Sequence, residues 1–493
     1  MTLDDLLSTV EREQLSIDRD LLKLAYETAA QAHAGQLRLS GEPYVSHSLA
    51  VADKLVKLHL DQDTVIAGLL HDVPEDTAVT IEQLRHDFGD GVAKLVAGVT
   101  KLGKLKYRGL QRYVENLRKM FVAMAEDIRV ILIKFADRLH NLETLQYLPD
   151  PNKRQRIARE SLEIYAPIAN RLGIGEIKGQ LEDLAFPYLE PEAFAATERV
   201  FKQRLGDIGD LLTETQTALE RELKARSVPV LDIHGRQKHL YSLYQKLQRP
   251  EIDGDITKVY DLVALRLIVP TVADCYAALG VIHGLWRPLP GRIKDYIAQP
   301  KPNGYQSIHT TIFGPRNRII ELQVRDQAMH QAAEYGVAAH WHYAEAGKPK
   351  RASGSLDRTL GWVRELSQWQ HELEDEQQYL EALRVDVFSN RIFCLTPKGD
   401  VIDLPERATA VDFAYAVHTD LGQRIIGARV NGQYVDVLTE LRSGDVVEVV
   451  TDKNRKEPNP DWLPHVKTRL ARERIRKAQK TEGQRLERGQ ANN

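Results

Sequence analysis

The sequence has little sulfur chemistry to offer. Only Cys275 and Cys394 occur in 493 residues, and they lie far apart. They read as small buried hydrophobes rather than a disulfide or a metal site, in a reducing compartment, the cytoplasm. No run approaches the roughly 18 apolar residues of a membrane helix. The start, Met1-Thr2-Leu3-Asp4-Asp5, is acidic and lacks the apolar core of a signal peptide. The lysine motif of a P-loop is missing, which excludes a Walker-type ATPase. There is no internal repeat and no low-complexity tract. The net charge of −3 argues against bulk nucleic-acid binding. It hides three basic stretches, at 236–249, 292–301 and 467–487.

What is present suffices for several domains, since one core rarely grows beyond roughly 250–300 residues. Residues 1–200 read as helical. Thr80-Ile81-Glu82-Gln83 is a capping box, with Gly89 as a stop. Ile128–Ile133 is β-branched and ambiguous by periodicity, but it runs unbroken into Asp137–Leu145 and reads as helix. Residues 200–225 read as one connecting helix. From 230 to 345 the pattern is α/β, with a strand over Val259–Val269 carrying Asp261. A second strand alternates apolar Ile320, Leu322 and Val324 with polar Glu321, Gln323 and Arg325. Residues 351–383 read as a helical linker. Residues 384–451 form a small β-grasp unit. It has strands around the turn Lys398-Gly399-Asp400, one helix from Thr409 to near Gly422, and a hairpin at Asn431-Gly432. The tail from 467 is basic, then polar, and is expected to fray at its end.

The most informative run is Leu70-His71-Asp72-Val73-Pro74-Glu75-Asp76-Thr77. His47 precedes it, and Lys134-Phe135-Ala136-Asp137-Arg138-Leu139-His140-Asn141 follows. Taken singly these residues are bland: a core or capping histidine, a common dipeptide, a solvated helix end. In order they read H…HD…D, which suits a divalent-metal phosphohydrolase. Imidazole with carboxylate fits an ion such as manganese, which lowers the pKa of a bound water and steadies phosphate charge. Glu75 and Asp76 are placed to move the proton. Pro74 would clash with the carbonyl of Leu70 in a continuing helix, so the helix should end or kink there.

A second cluster, over 236–325, is basic, with Asp261 and Glu321 on separate expected strands. Two such carboxylates can hold one magnesium together with phosphate oxygens. From charge alone, the bland reading of a solvated basic surface is preferred.

The order of motifs overturns that preference. Ala32-His33-Ala34-Gly35-Gln36-Leu37-Arg38-Leu39-Ser40-Gly41-Glu42-Pro43-Tyr44, with His47 and the 70–77 and 137–141 runs, resembles the hydrolase domain of the RelA/SpoT homologue family. Gly235–His239, Tyr260-Asp261-Leu262, Arg292–Ala298, Lys301–Thr310 and Ile320–Arg325 resemble its synthetase domain. Thr396–Asp400, Asp412–Thr419 and Gly444-Asp445 resemble its TGS domain. The resemblance implies a multidomain chain. An all-α HD-type hydrolase domain (1–200) and an α/β nucleotidyltransferase-like synthetase domain (201–350) are followed by the linker (351–383), a β-grasp TGS domain (384–451) and a basic tail (452–493). Long members continue to an ACT-type regulatory domain beyond the point where this sequence stops.

The resemblance also implies roles. His47, His71, Asp72 and Asp137 would bind Mn2+, with Glu75 and Asp76 catalytic. Arg38, Ser40, Asn141 and Thr144 would contact the hydrolase substrate, Arg38 against guanine. In the synthetase, Asp261 and Glu321 would bind Mg2+, with Glu321 also helping to deprotonate the attacking 3′-hydroxyl. Tyr305 would stack on the acceptor guanine, and Arg236 and Arg266 would hold ATP. Lys294, Lys301, His309 and Arg325 would neutralise phosphates. Lys238, Ser242, Lys246, Arg292, Asp295, Asn303, Gln306 and Gln323 would complete the substrate site. His418 would contact tRNA. Three positions depart from the family pattern: Leu39 where lysine is common, Pro74 where valine is usual, and Asp326 in place of threonine. Arg292-x-Lys294-Asp295 has the form of bifunctional members.

The activity implied is synthesis of (p)ppGpp from ATP and GDP or GTP, and its hydrolysis. The ribosome and uncharged tRNA are implied as partners of the TGS domain. The two activities should be conformationally exclusive, since running both wastes ATP. The rivals are a hydrolase with a weakened synthetase and a non-catalytic ribosome- or tRNA-binding regulator.

Overall fold

The computed structural model describes residues 1–103, 110–206, 209–301, 303–339, 363, 391–455 and 457–490. The chain forms two compact units, Met1–Glu372 and Leu373–Asn493. Among the described residues no helix is long and apolar enough to cross a membrane.

The first unit begins with helices. In order they are α1 (Leu3–Arg12), α2 (Arg19–Ala32), α3 (Val45–Lys57), α4 (Gln62–Leu70), α5 (Val73–Asp76), α6 (Ile81–Gly103), α7 (Leu110–Glu126), α8 (Arg129–Glu143), α9 (Pro151–Glu160), α10 (Ala166–Arg171), α11 (Gly175–Leu189), α12 (Pro191–Gly206) and α13 (Gly209–Ala225). Helix α4 is apolar on every side and sits at the centre, with Thr64 through Leu70 all buried. Asp61 caps its N-terminus by accepting from the Thr64 N–H at 2.9 Å. Val65, Ile66, Leu69 and Leu70 are each 0% exposed. Burial of such side chains is worth about 1.5–3 kcal/mol apiece, enough to hold the helix, and the histidine at its end, in place.

Helix α4 ends at Leu70, and Pro74 lies in the first turn of α5. There the missing N–H costs nothing. The ambiguous segment 128–133 is helical and opens α8. One boundary differs from the sequence expectation. Gly89 adopts φ 88° and kinks α6, but helix resumes at once, because one glycine in the left-handed region redirects a chain without forbidding the next turn. The stretch 200–225 is helical on both sides of residues 207–208, which lie outside the described residues.

The same unit continues with β1 (Asp232–Gln237), α14 (Leu240–Leu247), β2 (Val263–Val269), α15 (Val272–Leu285), β3 (Pro288–Asp295), β4 (Ile308–Phe313), β5 (Ile319–Asp326) and α16 (Gln327–Tyr335). The sheet order is β1-β2-β5-β4-β3, with only β2 and β5 parallel. One face buries Leu265, Leu267, Ile308, Ile312, Leu322 and Val324 against Leu219 and Leu223 of α13 and Cys275, Ala278 and Ile282 of α15. Strand alternation sends the polar residues to the other face. Asp261 lies in the turn before β2 and not within the strand.

The second unit holds β6 (Arg391–Leu395), β7 (Val401–Pro405), α17 (Ala410–Val417), α18 (Thr419–Arg424), β8 (Ile425–Val430), β9 (Gln433–Val435), β10 (Val447–Thr451) and α19 (Arg469–Gln490). Asn431 (φ 51°) and Gly432 (φ 85°) make the hairpin between β8 and β9. The expected single helix from Thr409 is broken at His418, whose extended backbone (φ −163°, ψ 139°) caps the next one. The tail is helical to Gln490, and its last three residues, where fraying is expected, lie outside the described residues. Asp412 fastens it: its carboxylate accepts from the backbone N–H groups of Lys467 and Thr468 and from the Thr468 hydroxyl. The expected linker, 351–383, lies outside the described residues except for Val363.

Candidate active sites

The first site sits where α3, α4, α5 and α8 converge. His47 comes from the first turn of α3, His71 from the end of α4, Asp72 from the start of α5 and Asp137 from α8. His47 Nε2 is 3.4 Å from both Asp72 Oδ2 and Asp137 Oδ1. His71 Nε2 is 3.2 Å from Asp72 Oδ1. Ligand atoms of His47, His71 and Asp137, all buried, lie within 4.8 Å of one another, a spacing that a metal ion can bridge. The His71 Nδ1–H donates to the Gly68 carbonyl at 2.8 Å, which leaves Nε2 bare toward the cluster. Two imidazole nitrogens and a carboxylate oxygen converging on one buried point are the donor set of a divalent cation, so the residues present suit a metal.

The electrostatics agree. Burial pushes the Asp72 and Asp137 carboxyls up, but the facing histidines, with Lys134 at Asp137, outweigh it and hold both below the usual range. Burial alone would lower His71; Asp72 and Asp137 reverse this and raise it to about 9. Lys134 Nζ donates to Asp137 Oδ2 at 2.7 Å, and Asn141 Nδ2 donates to Oδ1 at 2.5 Å. The Tyr44 hydroxyl lies 2.8 Å from Asp72 Oδ2 and 3.1 Å from Asp76 Oδ2 and shares its one proton between them. Glu75 and Asp76 therefore stand on a helix that starts at the cluster, with Asp76 tied to it through Tyr44. Arg38 reaches Asn141 Oδ1 (3.1 Å) and Thr144 Oγ1 (3.3 Å) from a tight hairpin in which Ser40 bonds Glu42. His140, buried one turn after Asp137, touches His47. Burial, then His47, Arg38 and Lys54, hold it down at about 3.

The second site is the polar face of the sheet. Strand register lines up His234, Arg266, Gln323, His309 and Lys294 in one row across all five strands. The next row is Arg236, Ala264, Glu321 and Thr311. Glu321 is flanked by His309 Nδ1 at 3.2 Å and Gln323 Nε2 at 3.0 Å. Burial raises its pKa, but His309 and Gln323 outweigh this and lower it. Asp261 bonds Lys238 Nζ at 2.9 Å and Lys246 Nζ at 2.6 Å. The two lysines overcome burial and hold it at about 2. Asp261 in turn raises Glu321, so the two carboxylates feel one another.

Tyr305 is fixed at its hydroxyl by His309 Nε2 (2.7 Å) and Arg325 Nη2 (3.2 Å). Lys301 Nζ lies 4.9 Å from the centre of the Tyr305 ring. Burial, then Lys294, lowers Lys301 to about 8. Arg325 is fully buried and Arg266 nearly so, and both lean on the single carboxylate of Glu334. Two buried guanidiniums sharing one carboxylate favour an anion beside them.

Family models agree with this architecture. The HD domain matches residues 25–175, the region found in RelA/SpoT proteins matches 235–348, and the TGS domain matches 392–451. A guanosine-3′,5′-bis(diphosphate) 3′-pyrophosphohydrolase of Aquifex aeolicus is 43% identical, across 94% of this chain and 67% of that protein. The chain belongs to the RelA/SpoT family. Two other members are similar. A GTP pyrophosphokinase of Myxococcus xanthus is 46% identical over 95% of this chain and 61% of its own length. The bifunctional (p)ppGpp synthase/hydrolase RelA of Mycobacterium tuberculosis is 45% identical over 93% and 62%. The chain thus spans roughly three-fifths to two-thirds of these relatives.

Within this RelA/SpoT chain some expected site residues also make contacts within the scaffold. Asp295 accepts from the Ile297 and Ala298 N–H groups and from the Tyr276 hydroxyl, so it braces a turn. Asn303 caps the Tyr305 N–H, and Gln306 donates to the Ile297 carbonyl. Arg292 lies 5.8 Å from the Tyr260 ring centre, and Ser242 is half-buried on α14. His418 is exposed and accepts from the Asp420 N–H. Four residues now stand at the sites without an assigned role from the sequence: Tyr44, Lys134, His140 and Glu334. Lys134 and His140 each lie three positions from Asp137, one helical turn away, and Tyr44 lies three before His47. Glu334 gave no such signal, because it meets Arg266 across 68 residues.

Proposed function

We propose that the chain is a bifunctional alarmone enzyme that makes (p)ppGpp from ATP and GDP or GTP and hydrolyses it to GDP or GTP and pyrophosphate. The observation that carries this reading is the presence of both sets in one compact unit: the buried histidine–aspartate cluster and the basic sheet face with its paired acids.

In synthesis, the 3′-oxygen of the acceptor attacks the β-phosphorus of ATP, and AMP leaves with the bridging oxygen. Positioning and charge dominate such a step. Tyr305 stacks on the acceptor guanine, held by His309 and Arg325. Arg236, Arg266, Arg325, Lys294 and Lys301 hold phosphates. Glu321, ionised at neutral pH, takes the proton of the 3′-hydroxyl, and with Asp261 it would hold Mg2+.

In hydrolysis, Mn2+ would be held by His47, His71, Asp72 and Asp137, where it supplies a more acidic water and stabilises phosphate charge. Glu75 and Asp76 carry the proton between the attacking water and the departing 3′-oxygen. Arg38, with Asn141 and Thr144, orients the nucleotide. The TGS unit presents His418 to uncharged tRNA on the ribosome. The cytoplasm, where these nucleotides occur, is the working compartment. Incubation with ATP and GDP, and separately with ppGpp and Mn2+, followed by nucleotide separation, tests the assignment. Both conversions are expected, and failure of either removes half of it.

A further inference from the structure

His140 has no part in the roles assigned so far. It lies on α8, three residues after Asp137, and is buried. Its Nδ1 is 2.7 Å from Nδ1 of His47, with ring centroids 4.9 Å apart. Two ring nitrogens at that distance share one proton, so one donates and the other accepts. The opposite nitrogen of His47, Nε2, faces both Asp72 and Asp137. A cation bound there needs a lone pair on Nε2, which leaves the proton of the neutral ring on Nδ1. His140 must then be the acceptor. If His140 donated instead, the His47 proton would sit on Nε2, where it would block the cation.

His71 meets the same need differently. Its Nδ1–H is taken by the Gly68 carbonyl, a group that can only accept. At the same ring position His47 meets a side chain, that of His140. The geometry points to His140 as a positioning residue that fixes the ring orientation and tautomer of the metal ligand His47. The inference rests on the reading of the cluster as a metal site. Such partners of metal ligands are worth about 10- to 100-fold in metal affinity.

The test uses the full chain and measures Mn2+ binding by the loss of the free-ion electron paramagnetic resonance signal. His140→Leu keeps bulk but removes the acceptor. His140→Asn sets an amide oxygen close to the place of Nδ1 and restores it. Asp72→Ala serves as the ligand control, and synthesis from ATP and GDP reports folding. The leucine variant should bind Mn2+ about tenfold or more weakly, and the asparagine variant should stay within about threefold of the unaltered chain. Equal binding by the leucine and asparagine variants, whether strong or weak, would reduce His140 to packing and overturn the inference. If the unaltered chain bound no better than Asp72→Ala, the metal-site reading would fall and take this proposal with it. If Asp72→Ala alone lost binding, only the role of His140 would fall.

Discussion

The two sites solve opposite electrostatic problems with the same few residue types. At the helical site, Asp72 and Asp137 face His47 and His71 across 3.2–3.4 Å, and these side chains converge on one point that attracts a cation. On the sheet face, Arg266, Arg325 and Lys301 gather positive charge, and the surface attracts an anion. The supports differ accordingly. Helix geometry packs ligands from four elements around a point. Strand register spreads side chains in rows, which suits a long polyphosphate. If each site is built for a ligand of its own charge, damage to one should leave the other working, and variants can test that separation.

The largest expected effect is at the metal cluster. Asp72→Ala should lower hydrolysis by more than about a hundredfold, since even the groups behind metal ligands are worth about 10- to 100-fold. Synthesis should stay within about twofold in the same preparation, because no proposed synthetase residue lies in that cluster. Wild-type hydrolysis after metal depletion of this variant would refute the ligand assignment.

Glu321→Gln comes next. Loss of a positioned base costs about 10²- to 10⁴-fold, and here a proposed magnesium ligand goes as well. Asp261→Asn should also fail, with some recovery as magnesium is raised and less recovery for Glu321→Gln. A magnesium titration of synthesis, with hydrolysis as the folding control, checks both. Near-normal synthesis in either variant would mean that the sheet face is not the active site.

Tyr305→Ala should be milder. Base–aromatic stacking is worth about 1–3 kcal/mol, so the acceptor KM should rise about 5- to 150-fold. Tyr305→Phe keeps the ring and loses only its links to His309 and Arg325. An alanine variant with unchanged acceptor KM and turnover would remove the stacking role.

The smallest expected effect concerns the clamp between the helical and sheet parts of the first unit. His239 Nδ1 meets Asp183 at 2.8 Å, and Nε2 lies 3.6 Å from Glu176 on the same helix, α11. Burial lowers His239, but the two carboxylates reverse this and raise it to about 9. A folded pKa above the unfolded value of about 6.5 gives stability that is full below pH 6.5 and lost as pH rises through about 9. Glu176, held at about 2 chiefly by His239, contributes above pH 4.5 and loses its share as pH falls through 2. Stability from this clamp should therefore be greatest between about pH 4.5 and 6.5 and decline by at most about 3 kcal/mol toward pH 9. His239→Gln should flatten that decline in urea unfolding at several pH values. An unchanged slope would show that the clamp contributes nothing.

The two sites also differ in how much of them could be read from the sequence. The grouping of His47, His71-Asp72 and Asp137 was legible because each residue sits at a helix end or on a helix face with a clear local signal, such as Pro74 at the break. Glu321, Gln323 and Arg325 were legible by strand alternation. What sequence could not show is register. Nothing in the spacing tells that Arg266 lies beside Gln323 or that His309 bonds Glu321, since pairing across strands depends on the assembled sheet. Asp261 was misplaced within a strand because the apolar run around it continues into β2. Its two lysine partners, on β1's exit and on α14, hold it in a turn. Glu334 stayed hidden for the same reason as the register.

The separation of the two sites is tested most directly by a relay between two single variants. Asp72→Ala is given ATP, GDP and Mg2+, and its guanine product is isolated. That product is then given to Glu321→Gln with Mn2+. The account predicts that the first variant accumulates ppGpp and the second converts it to GDP and pyrophosphate. No ppGpp from the first, or no breakdown by the second, with both proteins folded, would contradict the claim that this chain carries two separate catalytic sites.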